Sequence, residues 1–332
     1  MKVLYFKEDL NGVTEYYYNI ILAALSKLGY ESERLEACTF KVAKDIPNKV
    51  LILATSLKAF FILYLTGHRN LIYWYQGVAP EENYVLLKKK WRYWLYSFLE
   101  KKSLKTVKYK IGVSKYLFEH YERKYNIKLN WDEIFIMPCF NSEFKEASFL
   151  IPNKYDNNVF CYAGSTRAWQ GLDNILSLYA EIEKKRGEVF LKIYSRDIDE
   201  VKRLAREAGI KNYSVDCVPQ EKIDEALSGC KFGFVIREDN VINNVATPTK
   251  LGTYLANGII PIYSSAIHAY RDLADDYKYL CCVNNDNTAI DRIMSYMDKT
   301  ISPEDINKEY HKLFDGYFNK GSYIKGLVEF LK

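Results

Sequence analysis

The sequence predicts an α/β protein with two domains. Its 332 residues exceed the length, about 250 to 300 residues, beyond which a single hydrophobic core stops growing. Short runs rich in β-branched and aromatic residues are each followed by a helix-length amphipathic segment, which is the pattern of βαβ units and parallel sheets. The pattern stops at a polar stretch, residues 138–158, and restarts at Val159. We therefore expect domains over residues 1–150 and 151–302, with helices in residues 303–332 that pack back on the first domain.

The first half contains strands and helices in alternation. Ser114 is the expected N-cap of one helix, and Pro138 ends the last strand because proline lacks the N–H that a sheet requires. The predicted strands are 3–6, 50–54, 71–74, 111–113 and 134–137. The predicted helices are 16–28, 57–65, 84–100 and 115–125.

The second half repeats this organisation, and its strands are continuous apolar runs, as buried parallel strands are. The predicted strands are 159–162, 189–194, 213–216, 232–236 and 259–262. Helices are predicted over 171–185, from the 189–194 strand to 208, and from 221. Ligands of such sheets bind outside the carboxyl ends of the strands, so we expect the chemistry in the loops there, in a cleft between two facing domains.

Composition excludes several classes of protein. The net charge of +5, from 47 basic and 42 acidic residues, is too small to predict a nucleic-acid partner. The 7 cysteines form no C-x-x-C pair, so neither a disulfide framework nor a zinc site is predicted. No signal-peptide pattern follows Met1, and the longest apolar run, 59–65, is too short to span a membrane. We therefore expect a cytoplasmic protein.

The loop after the 159–162 strand is a candidate phosphate site. Its small residues allow a ligand to approach the backbone, the following helix presents free N–H groups, and an arginine offers a forked set of donors. An ordinary strand-to-helix turn with a surface arginine fits the same residues. The candidate residues are Gly164, Ser165, Arg167, Gln170 and Gly171.

The loop after the 232–236 strand is a second candidate. Thr247 or Thr249 is expected to cap the next helix, Pro248 suits its first turn, and the Lys250 ammonium lies near the positive end of that helix. Thr-Pro-Thr is also a common helix start, and lysine is commonly a surface residue. Arg237 and Glu238 begin this loop.

These residues carry a resemblance. Segments 162–165, 169–171, 248–250, 254–258 and 260–262 resemble GT-B glycosyltransferases, nearest the retaining family 4 enzymes of bacterial surface-polysaccharide assembly. Segments 113–125, 136–138 and 141–144 resemble the end of the acceptor-side domain of that family. The resemblance implies a GT-B fold of two Rossmann-like domains facing a cleft. It also implies a nucleotide-sugar donor in the second domain, near Tyr194, Val218 and the two loops, and a glycan or lipid-linked acceptor in the first.

The sequence departs from the family at three positions. Family members commonly have two Glu residues eight positions apart, where this chain has Val245 and Thr253, and many have Lys where it has Gln170. Glu238, Asn243 or Asn244 are candidates to replace the Glu pair. The cations at the diphosphate are then expected to be Arg167 and Lys250, which we predict to be catalytic, with Thr253 among the donor-binding residues.

On the acceptor side, the loop after the 71–74 strand carries Gln76, Glu81 and Glu82, and Gly12 follows the first strand. The carboxylates are positioned to orient or deprotonate an acceptor hydroxyl. A retaining enzyme need not use a separate base, and both carboxylates also suit the first turn of a helix.

Asp197 and Asp199 match the Asp-x-Asp pattern by which transferases of the other major fold hold a metal. Both lie at the start of a predicted helix, where carboxylates are favourable because of the helix dipole. We favour that interpretation and expect no metal and no cofactor.

Residues 87–102 combine six basic residues and five aromatic ones with one acid. On a continuous helix, Leu87, Trp91, Trp94, Leu95 and Phe98 share one face. Such a helix lies on an anionic membrane or packs its apolar face in the core, and the sequence leaves both open. The function predicted from the whole sequence is metal-independent sugar transfer with retention. The alternatives are a sugar-nucleotide epimerase, a non-catalytic sugar-nucleotide-binding protein and a nucleic-acid-binding protein.

Overall fold

A computed structural model describes residues 1–10, 12, 14–284 and 286–332. The chain divides into two compact units. The first comprises Met1–Asn141, Val245–Thr247 and Asn319–Lys332, and the second comprises Ser142–Asn244 and Pro248–Phe318. In the part of the chain that is described, each unit contains one six-stranded parallel sheet.

The sheet of the first unit has the order β2-β1-β3-β4-β5-β6. Its strands are β1 (Lys2–Phe6), β2 (Glu31–Leu35), β3 (Leu51–Ala54), β4 (Leu71–Tyr75), β5 (Tyr109–Gly112) and β6 (Ile134–Ile136). Its helices are α1 (Thr14–Lys27), α2 (Phe40–Asp45), α3 (Leu57–Leu65), α4 (Ala79–Leu87), α5 (Lys90–Thr106), α6 (Lys115–Tyr125) and, from the end of the chain, α15 (Lys320–Phe330).

The sheet of the second unit has the order β12-β11-β10-β7-β8-β9. Its strands are β7 (Asn158–Ala163), β8 (Val189–Tyr194), β9 (Tyr213–Asp216), β10 (Phe232–Val235), β11 (Ile260–Ser264) and β12 (Cys281–Val283). Its helices are α7 (Leu172–Lys185), α8 (Ile198–Glu207), α9 (Ile223–Leu227), α10 (Val241–Asn244), α11 (Thr249–Ala256), α12 (His268–Arg271), α13 (Thr288–Met297) and α14 (Pro303–Asp315).

Eight of the ten predicted strands form the interior of the two sheets, and the other two, β6 and β9, lie at sheet edges. β3, β4 and β10 are buried along their whole length. Two edge strands were not predicted. β2 has the sequence Glu-Ser-Glu-Arg-Leu, is mostly exposed and contains no apolar run. Polar residues of this kind at a sheet edge discourage pairing with other chains. β12 is short, with three residues, and gives little periodicity.

The predicted helix 84–100 is wrong as a single element. α4 ends at Leu87, Lys88 takes the left-handed conformation with φ +53°, and α5 begins at Lys90. The Lys88 N–H donates to the Tyr84 carbonyl, which is the usual way for a left-handed residue to close a helix. Lys88, Lys89 and Lys90 have no acidic residue one helical turn away with which to form an ion pair, so no such pair would stabilise a continuous helix there.

Aromatic rings hold α15 in the first unit. Phe330 contacts the rings of Tyr109 and Phe135, and the ring of Tyr323 lies 5.5 Å from that of Phe140. α14 packs within the second unit, where Tyr310 is fully buried against Phe149. Neither α5 nor any other helix in the described ranges is both long and apolar enough to cross a bilayer.

Candidate functional site

The sheet order of the second unit brings the two candidate loops together. β7 lies between β10 and β8, so the loop after β7 and the loop after β10 leave the same edge of the sheet side by side. α11 follows β10 in the chain and begins at Thr249, next to Lys250. The contacts of Lys250, Arg237 and Gly171 that are described next all lie within this unit.

Lys250 points its ammonium into the loop after β7. Its Nζ lies 2.6 Å from Oε1 of Gln170 and 4.2 Å from the centre of the Tyr162 ring. None of the carboxylates in the described ranges lies within 4 Å of this ammonium. Burial, followed by the charge of Arg237, lowers the pKa of Lys250 well below its ordinary value. The ammonium is therefore poorly solvated and has no anion to neutralise it.

Arg237 is a second cation on the same amide. It is 6% exposed, its Nη2 donates to Oε1 of Gln170 at 2.9 Å, and its Nη1 donates to the Trp169 carbonyl. Burial lowers the pKa of Arg237 to about 10. Two cations thus converge on one neutral oxygen, an arrangement that favours binding of an anion beside them.

Gly164 and Gly171 allow this close approach. A Cβ on Gly164 would lie 2.4 Å from Nζ of Lys250. Gly171 has φ +66° and starts α7, and a Cβ there would lie 2.4 Å from the Ile236 carbonyl oxygen. Gly171 is therefore required by a backbone contact between loops that are distant in sequence, whereas a Cβ at Gly164 would displace the end of the Lys250 side chain.

Arg167 occupies a different position from the two converging cations. It is exposed, and its guanidinium lies 5.4 Å from the centre of the Trp169 ring. Ser165 is half-buried, and its carbonyl accepts a hydrogen bond from the Tyr162 hydroxyl at 2.7 Å. A catalytic role for Arg167 stays a prediction.

The other predicted donor-binding residues are spread around this edge. Tyr194 ends β8 and donates its hydroxyl to the Ala226 carbonyl at 2.8 Å, and Val218 is half-buried in the loop after β9. Glu238 is exposed, and its carbonyl accepts a hydrogen bond from the buried Asn243 side chain at 3.1 Å.

The expected cap of α11 is wrong. Pro248 is the N-cap residue and Thr249 is already helical, and no side chain caps this helix. Thr247 is instead grouped with the first unit, where its Oγ1 accepts a hydrogen bond from the Cys139 N–H at 2.9 Å. Its hydroxyl is engaged there.

Val245 and Thr253, which stand where the family commonly has its Glu pair, both make hydrogen bonds. Val245 is 2% exposed, and its carbonyl accepts a hydrogen bond from the Ser114 hydroxyl at 2.6 Å. In the second unit, Oγ1 of Thr253 lies 2.9 Å from Oγ of Ser142.

Asp197 occupies the N-cap position of α8, as predicted, but its carboxylate does not cap the helix. Its Oδ2 accepts hydrogen bonds from the Thr166 N–H at 3.3 Å and the Thr166 hydroxyl at 2.9 Å. It ties the loop after β7 to the start of α8. Independence from metal stays a prediction.

In the first unit, the predicted acceptor residues separate into two environments. Glu82 lines a cavity of about 160 Å³ together with Gln76, and burial raises the pKa of its carboxyl. Glu81 instead forms an ion pair with Lys124 at 2.8 Å. Although burial alone would raise it, His120 and Lys124 hold the pKa of Glu81 below its usual value. Gly12 is exposed after β1.

Sequence reasoning missed several residues of these sites. Tyr162 and Tyr254 hold the loop after β7, since the Tyr254 hydroxyl accepts a hydrogen bond from the Ala163 N–H at 3.1 Å. Glu100 is 2% exposed, lines the first-unit cavity and accepts a hydrogen bond from the Tyr125 hydroxyl at 2.6 Å. Burial raises the pKa of Glu100 to about 7. The tyrosines begin two of the segments that carry the resemblance, 162–165 and 254–258, but nothing in the linear sequence marks Glu100.

Comparison with known proteins identifies the fold. No protein-family model and no curated protein matches the sequence. Among solved structures, HepE of Anabaena in complex with UDP and glucose has a TM-score of 0.72 at 11% identity, over 100% of this chain and 99% of HepE. Sucrose-phosphate synthase of Thermosynechococcus elongatus has a TM-score of 0.70 at 14% identity, over 99% and 98%.

TarM of S. aureus has a TM-score of 0.64 at 10% identity over 88% of this chain, which spans 58% of the length of TarM. The structure of a TarM mutant contains fondaparinux, alpha-GlcNAc-glycerol and UDP. These similarities confirm the predicted GT-B fold of two Rossmann-like α/β units.

Proposed function

We propose that the chain is a glycosyltransferase that moves a sugar from a nucleotide-sugar donor to a glycan or lipid-linked acceptor. The observation that carries the proposal is the convergence of Lys250 and Arg237 on Gln170 at the carboxyl edge of the second sheet. HepE and TarM share the fold and are described with UDP, which is consistent with a nucleoside diphosphate as the anion.

The proposed chemistry follows from charge. Cleaving the bond between the anomeric carbon and the diphosphate develops negative charge on the leaving phosphate, and fixed cations lower that barrier. Lys250 supplies an ammonium beside the residue 170 position, where the resemblance places a lysine in many family members. Gln170 then serves as the fixed point that orients both cations.

The finer features of the proposal are retention of anomeric configuration, independence from metal, and a role in bacterial cell-surface polysaccharide assembly at the cytoplasmic side of the membrane. The first unit is proposed to bind the acceptor, with Glu82 and Gln76 at its cavity. Burial raises the pKa of Glu82, and its proposed role there is to hydrogen-bond an acceptor hydroxyl.

A non-catalytic nucleotide-sugar-binding protein is the second candidate. It is favoured by Val245 and Thr253 at the positions of the family's Glu pair, because neither side chain carries a charge. Such a protein would keep the cation pair and bind the nucleotide without turnover.

A panel of nucleoside diphosphates and nucleotide sugars separates these candidates. We expect at least one to raise the melting temperature, since a ligand at 100 times its Kd stabilises the folded state by about 2.7 kcal/mol. The nucleotide sugar that does so is then tested for release of the nucleoside diphosphate. Binding with release supports a transferase, binding without release supports the second candidate, and a panel with no thermal shift contradicts both.

Binding of the diphosphate is expected to depend on pH through Lys250. The pKa of Lys250 is lowered in the free protein, and a bound anion raises it. At a pH where the Lys250 side chain of the free protein is partly deprotonated, binding of the anion therefore takes up a proton. Affinity should therefore weaken as pH rises through the lowered pKa. Calorimetry at a series of pH values above about 7, in two buffers of different ionisation enthalpy, measures this uptake, because a diphosphate with a second pKa of about 6 is ionised throughout that range. Equal heats in the two buffers would argue against an anion beside Lys250.

A further inference from the structure

α5 carries three of its five aromatic side chains outward. The residues that it buries are Ser97, Leu99, Glu100, Ser103 and Leu104. The side chains that it exposes include Trp91 (64% exposed), Trp94 (70%) and Phe98 (64%). The exposed face of α5 therefore carries these three rings, whereas a helix that packs its aromatic face in a core would bury them. The sequence left open whether this face lies on a membrane or packs in the core. The structure contradicts packing in the core, because the rings are exposed.

These rings belong to a larger surface that also includes the end of α4. We define the aromatic–basic patch as the exposed apolar residues together with the cations between them. Its members are Leu86, Leu87, Lys88, Lys89, Lys90, Trp91, Arg92, Trp94, Leu95 and Phe98. Single exposed apolar residues are common on soluble proteins, but six of them within residues 86–98, interspersed with four cations, mark an interaction surface.

The charge of the patch identifies the chemistry of its partner. Residues 83–99 contain four cations and no carboxylate. The described part of the chain places no carboxylate within 4 Å of Lys89 or Lys90, and Arg92 donates to the Tyr96 hydroxyl at 2.9 Å rather than to an acid. The buried Glu100 is already paired with Lys124. The partner must therefore supply both negative charge and an apolar phase.

We propose that the aromatic–basic patch docks on an anionic lipid membrane. Tryptophan rings sit at the boundary between headgroups and acyl chains, and exposed lysines attract anionic headgroups. A second copy of the chain is a poor occupant, since a two-fold contact through this surface would bring the four cations of each copy together. Docking is independent of the sugar chemistry and is tested without a nucleotide.

The test is cosedimentation of the full chain with vesicles at low salt. Vesicles of phosphatidylcholine with phosphatidylglycerol are expected to bind the protein, and vesicles of phosphatidylcholine alone to bind it much less. Lys89→Gln with Lys90→Gln should weaken binding about 25-fold, since each cation near an anionic surface is worth about fivefold. Trp91→Ser with Trp94→Ser should weaken it at least about tenfold.

Two exposed apolar residues outside the patch provide the matched control. Leu150→Ser with Phe190→Ser removes apolar side chains that are 68% and 37% exposed, and it should bind vesicles as the unaltered protein does. The absence of cosedimentation at low salt overturns the proposal, as does equal loss in the control variant. Sedimentation velocity tests whether the patch instead joins two copies of the chain. If the protein is a dimer that Trp91→Ser with Trp94→Ser dissociates, and it does not bind vesicles, the patch serves self-association and the membrane proposal is overturned.

Discussion

Lys250→Met is expected to lower turnover about 10²- to 10³-fold, by analogy with removal of one donor from an oxyanion hole. The ammonium is one of the two cations on Gln170, and the substitution leaves Arg237 without that neighbour. Because burial already opposes the charge of Lys250, a methionine of similar shape should not destabilise the unit. A lower rate in a protein with an unchanged melting temperature therefore reports on the site and not on the fold.

The rate is measured as release of the nucleoside diphosphate from the nucleotide sugar that stabilises the protein. Lys202→Met is the matched control, because Lys202 is an exposed lysine of α8 in the same unit and its loss changes the net charge equally. If Lys250→Met and Lys202→Met turn over alike, Lys250 is not part of the site. Arg167→Ala belongs in the same series, since it tests the exposed arginine that the sequence pairs with Lys250.

The order of strands and helices could be predicted because each element leaves a local signal. Ser114 illustrates this: its hydroxyl accepts a hydrogen bond from the Leu117 N–H, and the helix that it begins has the predicted bounds, Lys115–Tyr125. The 189–194 strand was likewise predicted at its full length. Capping and apolar runs act over a few residues, so the sequence displays them directly.

The partners within the site could not be predicted in the same way. Lys250 meets Gln170 across 80 residues of sequence, and Arg237 meets Trp169 across 68. Such pairs depend on which strands are neighbours in the sheet, and β7 and β10 are neighbours although two strands separate them in the chain. The sequence suggested Lys250 and Gln170 by residue type and motif and named Arg167 as the second cation, whereas in the structure Arg237 is the arginine that contacts Gln170.

Which face of α5 is buried could not be predicted from the sequence either. Trp91 and Trp94 have the spacing of one helix face, and that spacing is the same for a face turned inward or outward. The buried positions on α5 include two serines and a glutamate, and Glu100 is accommodated by Lys124 and Tyr125 from α6. The partners of Glu100 thus lie on another helix, where the local pattern of α5 does not reveal them.

Gly171→Ala is expected to lower the free energy of unfolding of the second unit by about 2 to 6 kcal/mol. An alanine at position 171 would have to adopt the left-handed φ of Gly171, which costs about 1 to 3 kcal/mol. Overpacking by the added methyl group costs a similar amount. The new Cβ would lie 2.4 Å from the Ile236 carbonyl oxygen, which is backbone and cannot rotate away as a side chain can.

The same substitution should weaken binding of the nucleoside diphosphate. Gly171 follows Gln170 and Ile236 precedes Arg237, so separating the two backbones moves apart the amide and the guanidinium that now lie 2.9 Å from each other. Urea unfolding followed by tryptophan fluorescence measures the first effect, and calorimetry the second. Gly187→Ala is the control, because a Cβ at Gly187 meets nothing within 4 Å. If both variants unfold at the same urea concentration, the contact between the two loops does not constrain this edge of the sheet.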